Sequence, residues 1–148
     1  MEDELIIKEM SLAEKTVFLQ SSVYLARTDG KIESSEKELI TDLIKIYQIP
    51  HELFAEITKP IHLDTLLNKI AESIPDRRHA LFLIKELLTI TNIDDDISDS
   101  ESDFIEAVAK RLNIEEEKIL AIHELIQQHI LWLARKQAIM ECEEGQGN

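Results

Sequence analysis

Ala26-Arg-Thr-Asp29-Gly30-Lys31-Ile32-Glu33-Ser34-Ser35-Glu36 and Thr91-Asn-Ile-Asp94-Asp95-Asp96-Ile97-Ser98-Asp99-Ser100-Glu101 are two versions of one segment, 65 residues apart. Asp29 aligns with Asp94, Ile32 with Ile97 and Glu36 with Glu101, without a gap. The match runs on: Leu39, Ile40, Leu43, Tyr47 and Ile49 fall on Phe104, Ile105, Val108, Leu112 and Ile114. Asp, Ile and Glu at fixed offsets in two helix-joining loops predict a duplicated helical unit. The duplication also predicts two acidic loops that an approximate two-fold axis brings together.

Composition narrows the class. With 148 residues, 44% of them apolar, the chain can bury a core of its own. Three Gly and three Pro leave little of the turn punctuation that strands need, so the fold is expected to be all-α. A net charge of −14 opposes docking to nucleic-acid phosphate or to an anionic membrane surface. The counter-charge is then a cation, a basic protein surface or nothing at all. No apolar run is long enough to span a bilayer, and the acidic start Met1-Glu-Asp-Glu is unlike a secretory signal. The single cysteine, Cys142, has no internal partner, which fits a reducing, cytoplasmic setting.

Helical spacing divides the chain. Ser11-Leu-Ala-Glu14 reads as a capping box opening a helix to about Thr28, with Leu12, Phe18, Leu19, Val23 and Ala26 inward. Further helices are expected at about 34–47, at 50–58 behind Pro50, at 63–73, at 77–91 and at 98–112. The helix at 77–91 carries Leu81, Leu83, Ile84, Leu87 and Leu88 and should be central. The last segment, from Glu115 to about Cys142, places Ile119, Ile122, Leu125, Ile126, Leu133 and Ala134 at helical spacing. A continuous helix there would be about 40 Å long, so its end projects, bends or packs on another subunit. Trp132 within it serves either helix packing or a partner or homodimer surface. Residues 1–142 are expected to form one domain and 143–148 a disordered tail.

The double Asp-x-x-Ile-x-x-x-Glu pattern resembles the TerB-like family of tellurite-resistance domains. That family's wording is a helix ending in Ala-x-x-Asp-Gly-x-Ile, followed by a Glu that opens the next helix, used twice. Ala26 to Ile32 with Glu36 matches it; in the second copy Asp95 stands where the family has glycine. The resemblance covers about residues 11–125. It implies a compact bundle of about seven helices in two related halves, an acidic surface that binds divalent metal, and protein partners in stress-response complexes.

Two readings of the carboxylates stay open. Ser98-x-x-Glu101 is a capping box, and Asp29 and Asp94 suit turns that fold back on their own backbone. Against that, the run Asp94, Asp95, Asp96, Asp99, Glu101, Asp103, Glu106 meets no basic residue before Lys110. Carboxylates about 4 Å apart repel by about 1 kcal/mol in water and about 4 kcal/mol near a protein surface. A divalent ion would remove that repulsion. Oxygen-only donors favour Ca²⁺ or Mg²⁺, held by Asp29, Asp94, Asp96 and Glu101 with help from Glu36 and Asp99. Alternatively the acidic face meets a basic partner with no metal. The EF-hand pattern fails because Ile97 takes the position that needs Gly. No Glu-x-x-His pair supports a di-iron centre, and the five histidines, lacking zinc spacing, are expected at the surface or rim. Catalysis has no motif to support it.

Overall fold

The computed structural model describes residues 2–28, 34–91 and 98–146, of which 2–4, 34–37, 39 and 142–146 are described as backbone only. All the regular structure among them is helical. The order is α1 (Glu2–Glu9), α2 (Leu12–Ala26), α3 (Ser34–Ile46), α4 (Phe54–Thr58), α5 (Leu63–Ser73), α6 (Arg77–Thr91), α7 (Asp99–Arg111) and α8 (Glu116–Gln146). No helix among the described residues is long and apolar enough to cross a membrane.

Two helices carry the core. α2 packs against α3, α4, α5 and α6, and its residues from Val17 to Val23 are all buried. A helix enclosed on every side must be apolar or internally satisfied. Ser21 and Ser22 meet the second condition, returning their hydroxyls to the Val17 and Phe18 carbonyls at 2.8 and 3.0 Å. α6 buries Leu83, Ile84, Leu87 and Leu88, as its apolar periodicity predicts. The two helices run side by side in the same direction. Glu14 meets His79 near their starts, and the Phe18 and Phe82 rings lie 5.7 Å apart a turn later. Their C-terminal ends, which lead to the two acidic segments, therefore point to one end of the bundle.

Element bounds follow the spacing of the sequence repeat. α2 begins at Leu12 and ends at Ala26, and α6 begins and ends 65 residues later, at Arg77 and Thr91. α3, Ser34–Ile46, stands in the same relation to α7, Asp99–Arg111. Even the exits agree. Gln48 and Asn113 take positive φ, 55° and 58°, and the next amides, of Ile49 and Ile114, donate to Ile44 and Ala109. This is the left-handed helix stop in which a wide backbone bond closes the last turn and an apolar residue seals it. Ile49 and Ile114 are the buried seals.

Several expectations need correction. α1 was not anticipated, since Met1-Glu-Asp-Glu gives no apolar period; Ile6 and Met10 nonetheless anchor it in the core. The helix expected at 50–58 is a 3₁₀ turn, His51–Leu53, followed by the short α4. Leu12 lies at the surface, because the first turn of α2 directs Glu14 inward instead. α8 continues to Gln146, past the end expected near Cys142. Neither Gly nor Pro occurs in it before Gly145, so nothing in the sequence breaks it earlier. Leu125 and Leu133, placed inward by spacing, are exposed because α8 leaves the body after Ile126.

Gln48 bears the steric cost of a left-handed backbone that glycine would not feel. Gln48→Gly is expected to raise unfolding free energy by about 0.5–1 kcal/mol and Gln48→Val to lower it by at least as much, read by urea denaturation.

Candidate functional site

The two acidic segments of the sequence are approached through the helix ends that flank them. Asp29, Asp94 and Asp96 lie outside the described residues, and Glu36 enters only as backbone in the first turn of α3. Asp99 and Glu101 are described. The Glu101 carboxylate accepts the Ser98 amide at 3.0 Å while the Ser98 hydroxyl accepts the Glu101 amide at 3.1 Å, a full capping box. Asp99 is exposed in the same first turn, where its charge complements the helix dipole. Among the described residues no group of three or more His, Cys, Asp or Glu is arranged to hold a metal ion.

The end of α2 and the start of α7 share a groove. The Tyr24 and Phe104 rings lie 4.7 Å apart between the two helices. A cavity of about 720 Å³ opens there, lined by Tyr24, Thr28, Ile57, Ser100, Asp103 and Phe104, with Arg27 and Lys59 on its walls. Arg27 donates to the Thr58 carbonyl at 2.5 Å, which ties the end of α2 to the end of α4. Residue 28 is the last described before the first acidic segment, and Ser98 the first after the second. The first segment thus leaves, and the second enters, a helix that borders this groove. Among the described residues its lining is mostly apolar and carries both signs of charge.

A second polar cluster sits at the other end of α2 and α6. Ser11 accepts the Glu14 amide at 3.1 Å, so half of the expected capping box forms. The Glu14 side chain does not complete it. It turns into the core, 2% exposed, and meets His79 Nδ1 at 2.6 Å; His79 is itself 3% exposed. His79 Nε2 lies 3.1 Å from Glu9, which also receives Arg78 at 2.8 Å. His79 was expected near the surface. Burial of its ring requires a carboxylate in the core, and Glu14 supplies it in place of capping its own helix. One signal was available: positions 14 and 79 are equivalent in the repeat, and the Asp76 carboxylate caps the His79 amide at 2.9 Å as Ser11 caps Glu14.

The protonation of this cluster follows from its surroundings. Burial is the largest influence on His79 and disfavours its charge. Hydrogen bonds to Glu14 and Glu9, and the charges of Glu14 and Asp76, more than offset it, so the pKa is raised. Burial pushes the Glu14 carboxyl up against the pull of His79. Arg78, then His79, hold exposed Glu9 below the usual carboxylate range. Both buried shifts have the same sign for stability. The folded state holds a proton that the unfolded state releases: the His79 contribution is full below the ordinary histidine pKa of about 6.5 and is lost as pH rises through the raised value, while that of Glu14 begins to be lost lower, from the ordinary carboxyl value of 4.5.

Unfolding free energy is therefore expected to fall between neutral pH and the raised His79 pKa, and this slope should disappear in His79→Gln. His79→Ala leaves Glu14 buried without its partner and is expected to cost about 3–5 kcal/mol. Urea titrations at several pH values measure both.

The chain matches no family model, no curated protein and no solved structure.

Proposed function

We propose that the chain is a non-enzymatic, TerB-like stress-response domain of the tellurite-resistance type. Its acidic end binds a divalent cation, Ca²⁺ or Mg²⁺, and engages a protein partner. The observation that carries this reading is the common direction of α2 and α6, set by the Glu14–His79 and Phe18–Phe82 contacts, together with the groove shared by Thr28, Ser100 and Asp103. Helices that end together deliver their following loops together, which is what a shared ligand set drawn from Asp29, Asp94 and Asp96 requires. The repeated helix bounds support two related halves of TerB-like type. A cation ordering the loops would also fix the rim of the groove, where a partner side chain could seat against Tyr24 and Phe104.

A metal-independent adaptor is the second reading, and the capping role of Glu101 favours it. With one Glu101 oxygen on the Ser98 amide and Asp99 facing solvent, these two carboxylates are satisfied without an ion. The acidic end would then meet a basic partner directly.

Thermal unfolding separates the two. After EDTA treatment, Ca²⁺ or Mg²⁺ at 100 times its dissociation constant should add about 2.7 kcal/mol, roughly 5–10 °C in Tm for a chain of this size. Asp29→Asn and Asp94→Asn should each abolish that gain while leaving the metal-free melting curve in place. A melting curve indifferent to both ions removes the cation and leaves the adaptor reading.

A further inference from the structure

We propose that α8 pairs antiparallel with α8 of a second copy of this chain, each helix end seating in the basic-rimmed groove at the base of the other. This surface is separate from the acidic end and does not depend on the cation reading.

The first half of α8 is held and the second is not. Ile119 and Ile122 are half-buried and Ile126 is buried in the core, with α8 packed against α6. Every residue from 127 to 141 is exposed. That stretch is not a solvated spacer. Leu125, Trp132 and Ile139, seven residues apart, are 64, 56 and 60% exposed, and Leu133 and Met140 continue the seven-residue series of buried Ile126. Residues seven apart share a face, and apolar residues on such a face are the signature of helix pairing. The face that packs on the body thus runs on uncovered.

At the base of α8 lies its complement. A groove of about 620 Å³ between α1, α6 and α8 has an apolar floor of Ile6, Leu81, Phe82, Ile122 and Leu125. Around it stand Arg77, Arg78, Lys85 and Lys118. Four cations stand about one apolar groove in a chain of net charge −14, two of them in exposed ion pairs, Arg77 with Glu115 and Arg78 with Glu9. The segment that fits it is apolar and then acidic. The far end of α8 is that segment: Ile139 and Met140, then Glu141, with Glu143 and Glu144 next in sequence.

Geometry assigns the groove to the end of another molecule. α8 is one helix from Glu116 to Gln146, so its end cannot fold back onto its own base. Two such helices laid antiparallel bring each end to the other's base. With Lys118 opposite Glu141 of the second copy, Glu124 falls opposite Arg135, and the same contacts recur by the two-fold axis. A parallel pair would instead place Glu124 beside Glu124 and Arg135 beside Arg135. The overlap from residue 118 to 141 is about 36 Å at about 1.5 Å per residue.

Light scattering on the full chain, with the emission of its only tryptophan, tests this. Expected are a dimer and a blue shift of Trp132 emission as concentration rises through the dissociation constant. Ile139→Glu with Met140→Glu should give a monomer whose melting curve stays cooperative. Lys118→Glu should weaken the dimer at least tenfold, and adding Glu141→Lys should restore it. A monomer at all concentrations up to hundreds of micromolar overturns the proposal, including one that captures another protein through this face. So does a dimer indifferent to the Ile139 and Met140 changes, or a charge swap that fails to restore association.

Discussion

The contact on which the rest of the molecule depends is the 2.6 Å approach of Glu14 to His79, between the starts of α2 and α6. These helices make the core, and a polar pair inside it constrains them more narrowly than apolar packing alone. Leucine tolerates a slid neighbour at the cost of some contact area. A buried carboxylate does not tolerate the loss of its donor, because a charge without a partner in the interior costs several kcal/mol. The pair therefore sets the register of α2 on α6. Phe18 and Phe82 meet as a consequence, and the far ends of the two helices face one way. Glu9 and Arg78 extend the cluster to the surface and tie α1 into it.

Most of the helical skeleton was legible because it is written in spacing. The apolar positions of α5 and α6 recur at three and four residues, and Pro50, Pro60 and Pro75 mark the turns between elements. The repeat was legible too, but its matched left-handed exits at Gln48 and Asn113 were not, since neither residue is the glycine that usually marks such a stop. What escaped shares a physical cause: a side chain had two plausible partners and only tertiary packing chose between them. Ser11-x-x-Glu14 and Ser98-x-x-Glu101 are the same words, yet Glu101 caps its helix while Glu14 reaches across to His79. The difference lies in position 79 of the facing helix, which no local window contains. The candidate carboxylates behave likewise. Spacing singled out Asp29, Glu36, Asp94, Asp96, Asp99 and Glu101 as one set; the described geometry engages Glu101 with its own backbone and leaves Asp99 in solvent. α1 escaped for a simpler reason, since two buried residues, Ile6 and Met10, are too few to make a period.

Charge gives the bundle a direction. The net charge of −14 is not spread evenly. Carboxylates crowd the segments that follow α2 and α6, while Arg77, Arg78, Lys85 and Lys118 line one groove between α6 and α8, with Glu9 and Glu115 paired to two of them. The two ends of α6 thus face different chemistry, and its length keeps them apart by about 20 Å at about 1.5 Å per residue. That is more than two Debye lengths at physiological salt, so each end acts on its own surroundings with little influence on the other.

Polarity of this kind bears on how assembly and binding coexist. Two copies that each carry −14 repel at long range, so an interface between them must be built where the local charge is not negative. In the proposed dimer the groove at the base of α8 would serve, where part of the positive charge is already neutralised: Arg77 pairs with Glu115 and Arg78 with Glu9. Those ion pairs are exposed and of little worth to stability, so an arriving carboxylate can share the guanidinium without loosening the fold. A two-fold dimer would then present two acidic ends to a common partner. The gain comes through effective concentration, with no new contact needed at either end.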